Sequence, residues 1–341
     1  MQIISRFVYG LACILLVSCG SKKKIPDVST IQVSLQTIRF ESAFFAIDTF
    51  SIDASIQKIF DTYPSFSKDF LFNILGSFQN PESVASSSKA FIGSYKNIYE
   101  ESQKQFANFS AIEKEIKGGL TFVKYYFPNY KLPNKIITFI GPLNSYANIL
   151  TTDNSLAIGL QLYLGKSYSL YQSEAVQTLY PNYISRRFEA AYIPVNCMKN
   201  VIDDIMLQQK SLNNSEELVA QMIEQGKRLY MIDAFLPNVA DTLKTGYTKA
   251  QLEACEASEK NIWTFFVQND LLFETDANRI NTYVNDSPNT PEFGASSPGN
   301  IGMFIGWKIV KKWMLQDEKR TIQQLIQTPA KTIFEQAKYK P

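Results

Sequence analysis

The sequence predicts an α+β fold that is mostly helical, with one small β-sheet packed against a helical domain. Three observations predict it. Apolar residues make up 45% of the 341-residue chain and charged residues 19%, the balance of a core-forming globular protein. Residues 135–165 carry short apolar runs broken by turn residues, the pattern of strands and a hairpin. After Pro181 the apolar positions recur at helical spacing almost without a break.

At the start of the chain, Arg6 precedes an apolar run from Phe7 to Val17, and Leu16-Val17-Ser18-Cys19 closes it. A charged start, a short apolar stretch and small residues before a cut are the parts of a secretory signal. The run falls short of the roughly 20 residues a membrane span needs. Residues 1–18 are therefore expected to be a lipoprotein signal peptide, and Cys19 the lipidated first residue of the mature chain. Cutting at Cys13 would leave too little apolar run before it. Bacterial lipoproteins, which this pattern resembles, carry three acyl chains, and two already convert reversible contact into stable anchoring. Residues 19–30, basic at Lys22-Lys23-Lys24, are expected to be a lipidated tether. There is no Asp next to Cys19 and no acidic run after it, so the expected location is the outer membrane, facing the periplasm.

Residues 31–341 are expected to form a single globular domain. Ile31-Gln32-Val33-Ser34-Leu35 alternates like a half-buried strand. Ile52, Ile56, Ile59, Phe60 and Tyr63 line one helix, which Pro64 stops. Residues 81–88 read as a serine-rich loop, followed by a helix to Phe106. Ser110-Ala-Ile-Glu113 reads as a capping box that starts a helix carrying Ile112, Ile116, Leu120 and Val123 inward. Lys135 to Gly141 reads as a buried strand, and Asp153-Asn154 as the turn between two further strands, 148–151 and 155–165. Ser215-Glu216-Glu217 caps a helix that carries Val219, Met222, Ile223, Leu229 and Tyr230. Thr248 with Gln251 is a second capping box, leading to Ile262, Trp263 and Phe266. Residues 288–299 are a Pro/Gly/Ser-rich loop before an apolar helix, Ile301 to Met314.

The chain contains no histidine, which removes Ser-His-Asp and Cys-His units and the helical HExxH zinc pair. It has no CxxC and no GxxxxGK[ST] phosphate loop, so no cofactor or metal site is expected. A net charge of +2 without a basic stripe gives nothing to attract nucleic acid. Asp203-Asp204, Glu216-Glu217 and Glu100-Glu101 are adjacent pairs, and neighbours on a helix point apart. Tyr125-Tyr126-Phe127 and Trp307 are either groove-lining or core aromatics. Arg186-Arg187 is an anion site, a solvated helix face or an ion-pair partner. Cys197 and Cys255 are either a disulfide or two buried thiols.

The second half also resembles the gliding-motility-associated lipoprotein family GldB. The pieces are Leu156-Ala-Ile-Gly-Leu-Gln-Leu-Tyr-Leu-Gly165, Tyr180-Pro-Asn-Tyr-Ile-Ser-Arg-Arg187 and Met222-Ile-Glu-Gln-Gly-Lys227 with Leu229-Tyr230. They continue through Leu236-Pro237, Gly246-Tyr-Thr248, Glu259 with Ile262-Trp263, Leu271-Leu-Phe273 and Ser297-Pro-Gly-Asn-Ile-Gly302 into Gly306-Trp-Lys-Ile-Val310. Asn300 stands where a basic residue is expected in that last loop, which weakens an anion-binding role for it. The resemblance implies a non-enzymatic envelope lipoprotein that supports gliding motility or the associated secretion apparatus. Its partners would be the membrane, through the acyl chains, and envelope proteins of that machinery. They would dock near the 288–299 loop and Trp307. It also implies a zinc-peptidase-like scaffold without its metal, with Glu224 beside Gly226 as a relict ligand. The rival is a carboxylate-based periplasmic hydrolase acting on peptide or glycan, whose first candidates are Glu224, Lys227, Tyr230 and Glu259.

Overall fold

The computed structural model describes residues 25–209 and 216–341; Cys19 and Ser215 lie outside the described residues. The chain opens with β1 (Gln36–Arg39). Helices α1 (Phe40–Phe45), α2 (Ile52–Thr62), α3 (Pro64–Lys68), α4 (Pro81–Gln105) and α5 (Ser110–Tyr126) follow. Then come β2 (Lys135–Phe139), β3 (Asn148–Leu150) and β4 (Leu156–Gly159). The rest is helical: α6 (Glu174–Leu179), α7 (Asn182–Ser185), α8 (Ile193–Gln208), α9 (Leu218–Phe235), α10 (Asp241–Thr245) and α11 (Lys249–Ala257). Last come α12 (Glu259–Gln268), α13 (Ala277–Val284), α14 (Ile301–Leu315), α15 (Ile322–Gln327) and α16 (Ala330–Ala337).

The four strands form one mixed sheet in the order β1-β2-β4-β3. β1 and β4 pair parallel to β2, and β3 closes one edge antiparallel to β4. Asn154 turns the β3–β4 hairpin with φ +60°, a left-handed conformation that Asn adopts more readily than most residues. β2 and β4 are buried almost throughout, as expected of strands covered on both faces.

Four local expectations are corrected. The first strand lies at Gln36–Arg39 rather than 31–35; Ile31 to Leu35 do alternate in burial, but no strand pairs with them. The serine-rich stretch after Pro81 is helical: Pro81 suits the first turn and Asn80 caps it, accepting the Ser83 amide at 2.8 Å. Ser110 is the first helical residue and not a cap; its hydroxyl donates to Asn108 Oδ1 at 2.6 Å. The strand after Asn154 ends at Gly159, and a short 3-10 turn, Leu160–Leu162, replaces its second half. The Thr248 capping box is present with both of its hydrogen bonds.

Two apolar clusters fill the interior. One gathers the sheet, α1–α5 and α8; the other gathers α11–α14 and α16. α9 serves both, giving Met231, Ile232 and Phe235 to the first and Leu218, Val219, Met222, Ile223 and Leu229 to the second. α14 lies along α9 so closely that Gly226 and Gly306 are in backbone contact. A Cβ on Gly306 would lie 1.7 Å from the Met222 carbonyl oxygen, and a Cβ on Gly226 would lie 2.2 Å from the Gly306 carbonyl carbon.

Candidate functional site

The α9–α14 seam places the first set of candidate residues. Lys227 is almost wholly buried, and its ammonium donates to Glu224 Oε1 at 2.7 Å and to the Thr328 carbonyl at 2.8 Å. Burial lowers its pKa and Glu224 opposes that. Two turns on, Asp233 joins three elements: it accepts from Lys244 at 2.9 Å and from the Trp307 indole at 2.8 Å, and pairs with Lys311 at 3.3 Å. The Lys311 ammonium also lies 3.2 Å from the centre of the Trp307 ring. Burial pulls the Lys244 pKa down, but Asp233 and Asp241 together raise it above its ordinary value. Burial, with Tyr126 and Asp233 nearby, pushes Tyr230 up to about 12.

A second assembly forms where distant segments meet. The Arg186 guanidinium donates to the Gly246 carbonyl at 2.6 Å, and Arg187 pairs with Asp286 at 2.6 Å. The Tyr247 hydroxyl donates to the Asn300 carbonyl, and the Gln251 amide donates to the Ser297 carbonyl. Within the 288–299 loop, Thr290 and Ser297 are buried and hold each other: the Thr290 amide donates to Ser297 Oγ, and Ser297 Oγ reaches the Thr290 carbonyl. Gly299 lies against Ser287, where a Cβ would come within 2.2 Å of the Ser287 carbonyl oxygen. The three pieces around residues 180–187, 246–248 and 297–302 thus become one surface, although more than 100 residues separate the first from the last. Both side chains are engaged in fastening that surface, Arg187 through an ion pair and Arg186 through a backbone carbonyl.

Beside this surface opens a cavity of about 430 Å³. Lys199, Ile202 and Asp203 of α8, Gln225, Arg228, Leu229 and Ile232 of α9, Lys244 and Met303 line it. It is within the size range of small-ligand sites. A smaller recess of about 180 Å³, lined by Phe127, Tyr130 and Gln323 among others, lies at the end of α5.

Several expectations change here. Trp307 is 1% exposed and committed to Asp233, so it cannot be a surface anchor for a partner. Cys197 and Cys255 are both free and buried, one in each apolar cluster, so no disulfide joins them. Burial pushes each thiol up to about 12. Glu224 and Glu259 do not meet in a common site. Glu259 accepts from the Tyr339 hydroxyl at 2.5 Å and pairs with Lys308 at 3.1 Å, while Glu224 is held by Lys227. Among the described residues, no group of three or more Cys, Asp or Glu side chains is placed to hold a metal ion. No helix among them is long and apolar enough to cross a membrane. Sequence reasoning missed Lys199, Arg228, Asp233 and Lys244. Single charged residues on helices carry no signal until the helices are placed.

Residues 21–341 match the family model described as gliding motility protein GldB. No curated protein and no solved structure matches the chain. The zinc-peptidase likeness of the scaffold therefore rests on sequence alone.

Proposed function

The chain belongs to the gliding motility protein GldB family, and from that premise we propose that it is a lipid-anchored envelope protein that holds partner proteins rather than transforming a substrate. Cys19 would carry the acyl chains and tie the chain to the outer membrane on its periplasmic side. The partners would be envelope proteins of the motility machinery or of the secretion apparatus that accompanies it.

The observation that supports a holding role is how the functional-looking side chains are spent. Arg186, Tyr247, Gln251 and Thr290 all reach backbone carbonyls of neighbouring segments. They shape a loop surface; none is paired as an acid with a base. Loops held on a rigid scaffold are where recognition residues concentrate. The four residues of the hydrolase rival divide between a buried ion pair, a half-buried tyrosine and a separate carboxylate, Glu259, held by Tyr339.

A photocrosslinking residue at exposed Ser296, on the loop, or at exposed Asn182, beside Arg186, tests this in intact gliding cells. The expected result is a discrete adduct with an envelope protein from both positions, and none from exposed Lys117 on α5. Equal adducts from all three positions, or none from the loop side, would remove the reading.

A further inference from the structure

The 430 Å³ cavity has a charge balance that points to a specific class of ligand. Three cations and one carboxylate line it. Arg228 is paired with Asp203 at 2.8 Å, and Lys244 is held between Asp233 and Asp241 at 2.9 and 3.0 Å. Lys199 has no hydrogen-bond or ion-pair partner among the described residues. Its side chain opens into the cavity and stays accessible to water, while the nearest charges that act on it are Arg187, Asp286 and Asp203. Burial lowers its pKa, Arg187 adds to that, and the two aspartates oppose it. Subtracting the pairs leaves one uncompensated positive charge at the wall.

The rest of the wall is apolar: Ile202, Leu229, Ile232 and Met303. Ile202, Leu229 and Ile232 are closed off behind the cavity surface, so they form a fixed floor, and Met303 is partly exposed at the wall. Gln225 adds an amide anchored by donation to the Val284 carbonyl at 2.6 Å. An apolar pocket with one cation at its wall is how a protein selects a monoanion on an apolar body, because both the charge and the desolvated surface must match.

We propose that this cavity binds a small apolar carboxylate, with the carboxylate on the Lys199 ammonium and the apolar body against Met303, over the floor that Ile202, Leu229 and Ile232 form. This goes beyond the holding role and does not depend on it. Two sources share that chemistry, a short fatty acid and the C-terminal residue of a peptide.

Calorimetric titration of the full chain in lipid nanodiscs, corrected for empty nanodiscs, separates them. The probes are hexanoate and N-acetyl-Leu-Leu, each beside its neutral counterpart, hexanol and the peptide amide. At least one carboxylate is expected to bind, and its neutral counterpart about tenfold or more weakly, the value of one charge-assisted contact. Lys199→Met keeps a good helix former on an exposed position, so the fold should persist while carboxylate affinity falls about tenfold. Met303→Trp should weaken binding by narrowing the cavity; an unchanged melting temperature in either variant shows that the loss is local. Binding by hexanoate alone assigns the site to fatty acids, and binding by the peptide alone to a C-terminus. The proposal is overturned if neither carboxylate binds, if the neutral counterparts bind equally well, or if Lys199→Met binds as the native chain does.

Discussion

Replacing Gly306 with alanine is expected to destabilise the protein by about 3 kcal/mol or more, enough to remove most folded material from cells. The added Cβ would sit 1.7 Å from the Met222 carbonyl oxygen and 2.3 Å from its carbon. Both are backbone atoms in the middle of a helix, so no rotamer change can relieve the overlap. α9 and α14 would have to separate, opening the contact that unites Met222 and Ile223 with Ile305 and Trp307. The same change at other glycines should follow a gradient set by what each Cβ would meet. Gly302→Ala would touch the Tyr283 carbonyl at 2.9 Å and the flexible Met222 side chain at 3.0 Å, an intermediate cost. Gly118→Ala meets nothing within 4 Å on an exposed helical position and should stabilise by about 0.5–1 kcal/mol through helix propensity. Thermal and urea melts of the three variants check the order. Equal melting of Gly306→Ala and Gly118→Ala would show that the seam is not packed as described.

The second large effect is expected at the buried Lys227. Glu224→Gln removes the carboxylate that faces the Lys227 ammonium and leaves a buried cation donating to the Thr328 carbonyl. Breaking such a pair costs about 3 kcal/mol or more. Removing both ions with Glu224→Gln and Lys227→Met together should recover much of that loss, because the lysine stem is replaced by an apolar one of similar length. The pH dependence has a definite sign. The folded pKa of Lys227 is lowered below its unfolded value, so between the two the unfolded chain binds more protons and stability rises with pH. Losing Glu224 removes a contribution that raised the folded pKa, so the rise should become steeper and begin at lower pH in Glu224→Gln. It should vanish for this group in the double variant. Urea titrations from neutral to alkaline pH would read it; parallel stability curves for the native chain and Glu224→Gln would contradict the assignment.

The helices and the sheet were legible because their signals are local. Asp153-Asn154 sits between two apolar runs and becomes the β3–β4 turn; Thr248 and Gln251 become a true capping box. Where local signals misled, a competing local rule won. Serine abundance after Pro81 suggested a loop, yet proline at the first turn with Asn80 as cap is a helix start, and Ser88 is buried on the inner face of α4. Ser110 resembled a cap, but buried Phe109 takes that position and the helix begins one residue earlier than a box would place it.

The candidate site was legible only in part, because it is assembled from contacts between segments. The sequence pieces around Arg187, Tyr247 and Pro298 could be recognised one at a time, but that they meet around one loop depends on the packing of α7, α10 and the turn before α14. Trp307 illustrates the limit from the other side. An aromatic residue in a recognisable stretch could line a groove or fill a core, and only the Asp233 and Lys311 contacts assign it to the interior. Gly226, noticed for its place beside Glu224, owes its role to helix packing against Gly306.

The central claim is that a chain of this family serves gliding while fixed to the envelope through Cys19. The direct measurement is the spreading rate of a gliding host that lacks its own copy of the gene, complemented with the native chain or with Cys19→Ala at matched abundance. The account predicts that spreading is lost on deletion, restored by the native chain, and not restored by Cys19→Ala, which should fractionate away from the membrane. Undiminished spreading of the deletion strain, or full rescue by Cys19→Ala, would contradict it.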